Sequence, residues 1–460
     1  MRYVIAFTLS SFALTSACGA QETGGATIVK PPLGAQLDSA LTAASGEGFS
    51  GVALVAKNGE IILSKGYGLA NRAERIPMTP ATIVQIGSNT KDFTAVAILQ
   101  LMERGRLQLT DSIGKYFPDV PEDKRGITIN NLLRHGAGLP QHLGTDFDPL
   151  TREQEIKHAL SSTLKFPPGT SRSYSNVGYS LLGAIIEQLS GKSYDEYVRD
   201  EILEPAGMKE TGFLLPHFDT KRLAHGYRDN EDRGTLLAKP HADDGPYWNL
   251  RANGGMLSTV GDMYRFYQVL AGETLLKAAT RDLMYPPDDP VIFAGSDLVD
   301  YFMYNREPAA GVVMILASNS TVLNAEKVRG RLVPILGLGG NRERSTTPAT
   351  LSALPDTPAA NTVRAYLKAF NSGDTAVMGA FMRSSTIQAP GDKRTMEQRL
   401  EGYNRMHGNL GALKLLGVES VTDDRIVARA VTERGETLTM TFEIEAQAPY
   451  RLKGLAVEAQ

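Results

Sequence analysis

The chain has 460 residues, 42% of them hydrophobic and 22% charged, with a net charge of −3 and a pI near 6.2. That apolar fraction supports one large core or two, and the near-neutral charge leaves no basic footprint for nucleic acid. The seven histidines (135, 142, 158, 217, 225, 241 and 407) are scattered; their densest His/Asp run, His241-Ala242-Asp243-Asp244, reads as a solvated loop, so neither a metal nor a cofactor is expected.

Residues 1–20 have the layout of a secretory signal. Arg2 gives a positive start, Val4 to Ala13 is mostly apolar, and Thr15-Ser16-Ala17-Cys18-Gly19-Ala20 follows. Such a segment is too short to remain as a spanning helix, and cleavage is expected after Ala20, giving an exported, periplasmic or secreted protein. Cys18 is the only cysteine, so the processed chain has no internal disulfide and no thiol nucleophile. Cys18 is also a candidate for a lipid anchor; against it stands Thr15, at a position where lipoprotein signals carry a large aliphatic residue. No later stretch reaches the roughly 18 uninterrupted apolar residues of a membrane span.

From Phe49 onward, Gly51–Lys57 and Glu60–Gly66 read as two strands joined by Asn58-Gly59, a strong hairpin signal. After Ser88 a long helix is expected, with Phe93, Val96, Ala97, Leu101 and Met102 on one face and Gly105 near its end. Further amphipathic helices are expected over Tyr179–Leu189, closed by Ser190-Gly191, and over Val260–Leu270. Leu298–Tyr304 and Gly311–Ser318 read as a strand pair. Strands, helices and strands again predict a mixed α/β domain over 30–340, an antiparallel sheet flanked by helices. The proline-bearing stretch 341–361 reads as a linker. Beyond it, a helix over Thr362–Asn371, a break at Ser372-Gly373-Asp374 and a second helix to Met382 precede four alternating apolar runs, near 411–420, 424–432, 436–445 and 449–458. That is a small α+β domain over 362–460.

Gly87-Ser88-Asn89-Thr90-Lys91 stands just before the first apolar helix. A three-residue step places Ser88 and Lys91 one turn apart on one face, with the helix N-terminus beneath the hydroxyl. A buried ammonium beside a serine lowers the cost of an alkoxide or, with its own pKa depressed, acts as the base. The spacing by itself is weak: Ser112…Lys115 and Ser162…Lys165 share it, though neither opens a long apolar helix. Tyr174-Ser175-Asn176 follows the turn Pro167-Pro168-Gly169-Thr170 and precedes another helix. A phenol near a lysine can serve as general base and then protonate a leaving group, and the amide of Asn176 can hydrogen-bond a substrate.

Taken in order, these motifs resemble the serine β-lactamase and penicillin-binding family, nearest the class C β-lactamases and the related esterases and D-amino-acid peptidases. Leu132-Leu133-Arg134-His135-Gly136-Ala137-Gly138-Leu139-Pro140 and Gly254-Gly255-Met256-Leu257-Ser258-Thr259 carry the resemblance further, over roughly residues 35 to 335. It implies that Ser88 is acylated by a small-molecule or peptide substrate, that Lys91 and Tyr174 shuttle its proton, and that Asn176 contacts the bound amide or ester. It also makes His135 a packed turn histidine, not a base.

The third motif of that family, Lys-Thr-Gly or His-x-Gly on an edge strand, is missing. His142-Leu143-Gly144 has the pattern in the wrong order, and the equivalent stretch is Ile292-Phe293-Ala294-Gly295-Ser296, apolar where the family has a cation or imidazole. The chain between Met284 and Val291 is also short for the strand that usually precedes it. Backbone N–H groups of Ser88 and Ser296 can still form an oxyanion hole, but a substrate carboxylate loses its positive partner. Two functions follow: a metal-free serine hydrolase for neutral esters or amides, or a binding or regulatory protein that keeps the fold without useful turnover. The C-terminal domain resembles the nuclear-transport-factor-2-like (SnoaL-like) cone fold through Tyr366-Leu-Lys-Ala-Phe-Asn-Ser-Gly-Asp374. Such cones can hold a hydrophobic pocket, and Asp374, His407 and Glu433 are polar candidates for it that read better as solvated surface. A third reading therefore puts the main function in this cone.

Overall fold

The computed structural model describes residues 25–338 and 354–459, apart from 215, 229, 287–289, 298–299, 355–356, 388–393, 422–424, 434, 436 and 446. The expected secretory segment with Cys18 and most of the expected linker lie outside the described residues. The chain divides into two compact units after residue 340.

In the first unit a short strand β1 (Ile28–Val29) and helix α1 (Leu33–Gly46) precede the hairpin of β2 (Gly51–Lys57) and β3 (Glu60–Tyr67). Asn58 and Gly59 turn it with φ of 52° and 80°, the left-handed values a tight hairpin needs. Helices α2 (Thr90–Glu103), α3 (Asn176–Ser190) and α4 (Val260–Ala271) follow, then β4 (Val291–Asp297), β5 (Asp300–Glu307), β6 (Val312–Ser318) and α5 (Ala325–Ile335). The six strands form one sheet in the order β1-β3-β2-β6-β5-β4, every neighbour antiparallel. The last strand β6 pairs with the early strand β2, which closes the chain on itself and leaves β4 at an edge.

Side chains alternate across this sheet, as strand geometry requires. Val52, Leu54 and Ala56 join the core that contains Phe93 and Val96 of α2. Ala53 and Val55 face the other way, onto Leu37 and Leu41 of α1 and Val328 and Leu332 of α5. The sheet therefore lies between two helical layers.

α2 differs from its expected one-faced pattern: every residue from Thr90 to Leu101 is buried. Its polar members are satisfied inside the protein, Thr94 Oγ1 donating to Ala252 O (2.6 Å) and Gln100 Nε2 to Glu201 O (3.0 Å). Polar groups that find such partners are tolerated in a core, which is why hydrophobic spacing understated how deep this helix lies. α3 begins three residues before its expected start, because Ser175 caps it by accepting from Gly178 N (3.1 Å); Gly191, at φ 74°, ends it.

The second unit contains α6 (Pro358–Asn371), α7 (Thr375–Ser385) and α8 (Met396–Leu410), then β7 (Leu413–Val421), β8 (Arg425–Thr432), β9 (Thr437–Ile444) and β10 (Leu452–Ala459). The strands pair in sequence order into an antiparallel sheet. Its own core holds Val363, Phe370, Phe381, Ile426 and Phe442. Thr357 caps α6 through Ala360 N, so the helix claims the end of the stretch read as linker. Among the described residues no helix is long and apolar enough to cross a membrane.

Candidate active site

Ser88 sits in a tight 3-10 turn, Gly87–Asn89, that runs into α2. Its Oγ shares a 2.6 Å hydrogen bond with the Tyr174 phenol and accepts one of 3.2 Å from Lys91 Nζ. Lys91 is buried and also donates to the Asn253 carbonyl at 2.5 Å. Its ammonium lies 4.9 Å from the centre of the Tyr174 ring and 5.6 Å from that of Tyr179, where an aromatic face favours a cation. Serine, lysine and tyrosine, expected from motifs far apart in the chain, are thus in one hydrogen-bonded cluster. The rival Ser-x-x-Lys spacings form no such unit: Ser112 Oγ donates to Arg125 O while Lys115 pairs with Asp111 (2.8 Å), and Lys165 Nζ donates to Ser173 (3.1 Å).

Tyr174 comes from the loop before α3, and that loop is tied down at Ser175. Ser175 Oγ donates to Pro140 O (2.7 Å) and its N–H donates to His135 Nδ1 (3.2 Å). The His135 ring lies 4.6 Å from that of Tyr174 and 5.2 Å from that of Tyr179. Burial, helped by the positive charges of Lys91 and Arg172, pushes its pKa down to about 4. A neutral imidazole that accepts at Nδ1 braces the tyrosine loop, the turn role expected of it.

Asn176 enters α3 with its Nδ2 3.3 Å from His142 Nδ1, while its Oδ1 is buried without a hydrogen-bond partner. His142, set aside in the sequence for lying in the wrong order, is thus brought beside the asparagine. The linear pattern gave no sign of that proximity, nor of the Asn253 carbonyl that holds Lys91.

The edge strand β4 completes the site. A methyl group on Gly87 (φ 51°) would lie 2.5 Å from Ser296 N, and one on Gly295 would lie 2.5 Å from Ser88 N. Two facing glycines let the strand pass this close to the serine turn, bringing the N–H groups of Ser88 and Ser296 into one neighbourhood. The Ser296 side chain itself is exposed. Phe293, two residues before Gly295, packs against Tyr267, Tyr285 and Tyr304 at ring separations of 5.9, 5.8 and 6.2 Å. Tyr267 and Tyr285 donate to the buried carboxylate of Asp92 at 2.7 and 3.1 Å. Burial raises the Asp92 pKa to about 6 despite those bonds and the neighbouring Lys91 charge. The apolar residue on β4 thus belongs to an aromatic layer joined to α2. The described residues between Met284 and Val291 hold no strand.

Elsewhere, Asp244 of the His/Asp run clamps the buried Arg251 through contacts of 2.8 and 3.0 Å. Among the described residues no group of His, Cys, Asp and Glu is placed to hold a metal. Asp374 is the N-cap of α7, accepting from Ala376 N at 2.7 Å, a structural use for one of the candidates of the second unit.

A helix-flanked antiparallel sheet with a serine at the head of its buried helix, a lysine one turn on and a tyrosine from a neighbouring loop defines the β-lactamase-like serine hydrolase architecture. The sequence model of the β-lactamase family matches residues 37–333, and the chain belongs to that family. PbpX of Bacillus subtilis (strain 168) is 34% identical over 240 residues, which cover 52% of this chain and 59% of that protein. Protein flp of Staphylococcus aureus (strain MW2) is 37% identical over 196 residues, 41% of this chain and 39% of its own length. The chain thus matches less than two thirds of either relative. Among solved structures, a penicillin-binding protein from Bacillus halodurans superposes with a TM-score of 0.56 and 26% identity, covering 65% of this chain and 98% of that one.

Proposed function

We propose that the first unit is a serine hydrolase that works through an acyl-enzyme on neutral esters or amides. The observation that carries this reading is the Ser88 hydroxyl held at once by the Tyr174 phenol (2.6 Å) and the buried Lys91 ammonium (3.2 Å). In the forward step Ser88 Oγ bonds to the substrate carbonyl carbon as its proton passes into the Tyr174–Lys91 pair. The same pair returns the proton to the departing alcohol or amine as the carbonyl–leaving-group bond breaks. Water then attacks the acyl-serine by the reverse route and releases the acid. The backbone N–H groups of Ser88 and Ser296 are the donors for the oxyanion, and the Asn176 side chain contacts the bound ester or amide.

Neutral substrates are favoured because β4 offers an aromatic layer, not a cation, beside the site; a substrate carboxylate would be left without its positive partner. Residues 1–20 support export of the protein to the periplasm or beyond, with Cys18 as a site for a lipid anchor. The experiment is turnover of p-nitrophenyl butyrate against benzylpenicillin by wild type and Ser88→Ala. Ester hydrolysis that disappears in the variant, with little penicillin turnover, is the expected result. Penicillin turnover equal to ester turnover contradicts the neutral-substrate reading, and no turnover of either favours a binding protein.

A further inference from the structure

Asp92 is a carboxylate that the acyl-enzyme chemistry does not use, yet it is buried one residue past Lys91. Burying a carboxylate is costly unless its oxygens are bonded, and both oxygens here are. Tyr267 Oη donates to Oδ2 at 2.7 Å and Tyr285 Oη donates to Oδ1 at 3.1 Å. The two donors come from different parts of the chain. Tyr267 lies on α4, whereas Tyr285 lies in the segment that leads to β4, a segment tied to β5 by Arg306 Nη2 donating to Pro286 O at 2.6 Å.

The two phenol rings carry the contact on to the edge strand. Tyr267 stacks on Tyr304 of β5 with ring centres 3.6 Å apart, and Phe293 stands opposite Tyr304 in the β4–β5 ladder. Tyr285 meets the Phe293 ring edge-on. The space left among these rings is about 10 Å³, no more than a single water needs. So close-packed a layer passes a displacement on instead of absorbing it. Two residues beyond Phe293, Gly295 makes the close approach to Ser88 N that brings Ser296 N–H to the site. Apolar side chains could fill the volume of Asp92 and the two hydroxyls, but only directed bonds fix one arrangement of the rings against α2.

We propose that Asp92 is a positioning residue for the hydrolysis: by holding the Tyr267 and Tyr285 hydroxyls it fixes β4, and with it the Ser296 N–H, against the serine turn. This inference rests on the acyl-enzyme reading of Ser88. The role of Asp92 is that of a doubly bonded acceptor, distinct from a charge that acts on Lys91. An oxyanion donor is effective only when aimed at the charge that develops in the transition state. A loosened β4 therefore lowers kcat more than it weakens substrate binding.

The test is steady-state turnover of p-nitrophenyl butyrate by wild type, Tyr267→Phe, Tyr285→Phe, Asp92→Ala and Asp92→Asn, each rate normalised to the fraction of chains that a fluorophosphonate labels at Ser88. Tyr267→Phe is expected to lower kcat about tenfold and Tyr285→Phe about threefold, with KM changed by less than about twofold. Asp92→Ala is expected to lose at least as much as Tyr267→Phe. Asp92→Asn keeps an acceptor for one phenol and offers a donor to the oxygen of the other, so its kcat stays within about threefold of wild type. The tyrosine variants keep their rings, so they test the tether even where Asp92→Ala fails to fold. Unchanged kcat in both tyrosine variants, or losses confined to KM, would overturn the proposal. So would an Asp92→Asn loss as large as that of Asp92→Ala, which would make the charge beside Lys91 the operative feature. Each of those results, with wild type labelled at Ser88 and active, defeats the tether alone; wild type with neither label nor turnover defeats the acyl-enzyme reading as well.

Discussion

The two sides of the Ser88 cleft are built differently. The helical side, formed by the head of α2 and the loop before α3, is polar and tightly bonded: Ser88, Lys91, Tyr174 and the Asn253 carbonyl form one hydrogen-bonded set. The strand side, β4, supplies backbone at Gly295 and Ser296 and an aromatic layer at Phe293. The contrast teaches that activating a nucleophile and recognising a substrate's charge are separable tasks. On the helical side an ammonium and a phenol meet the Ser88 hydroxyl, while the strand side, Val291–Asp297, carries no lysine, arginine or histidine.

The sharpest way to break this division is at Lys91. Lys91→Met is expected to lower the rate of acylation by about a thousandfold or more, since it removes the buried charge beside the hydroxyl and half of the proton route. Retention of near wild-type labelling by a fluorophosphonate would place the activating group elsewhere. On the strand side, Gly87→Ala puts a methyl group 2.5 Å from Ser296 N at a φ of 51°, so the edge strand must move. A loss of about a hundredfold in ester turnover is expected, with substrate affinity changed much less, as a split between kcat and KM would show. Tyr174→Phe keeps the ring beside His135 and removes only the hydroxyl. A loss of about a hundredfold in kcat is expected, and a loss confined to KM would make the tyrosine a binding group instead.

The smallest effect links the two sides through Asp92, whose carboxylate on α2 receives the Tyr267 and Tyr285 hydroxyls that underlie Phe293. Burial raises its pKa from 3.8 to about 6. The folded protein then binds this proton more tightly than the unfolded chain, so its contribution is present below pH 4 and is lost as pH rises through 6. The loss is of the order of 2 to 3 kcal/mol. Urea melts of wild type and Asp92→Asn between pH 4 and 7 should differ by a slope of that sign, and parallel curves would remove Asp92 as the titrating link.

Much of this was legible in the sequence because it is local. The Asn58-Gly59 turn and the strands of the second unit near their expected ranges follow from neighbouring residues, whereas the cap at Ser175 was passed over and its helix expected three residues late. The Ser-x-x-Lys and Tyr-x-Asn pairs were visible too, and the long apolar helix after Ser88 set it apart from Ser112 and Ser162, but the hydrogen bond across the 86 residues between Ser88 and Tyr174 has no local signature. Burial of α2 on all sides was hidden for a related reason: its polar residues are satisfied by distant carbonyls such as Ala252 O. His142 was set aside on chain order, and order carries no information about which loop folds back onto Asn176. The role of Phe293 likewise depends on three tyrosines that converge from α4, the segment before β4, and β5.

Intact-mass measurement after exposure to a fluorophosphonate, wild type beside Ser88→Ala, tests the central claim most directly. A single adduct on the wild type that is absent from the variant is the predicted result. Well-folded wild type that takes up no adduct, or a variant that takes up the same one, would contradict an activated Ser88.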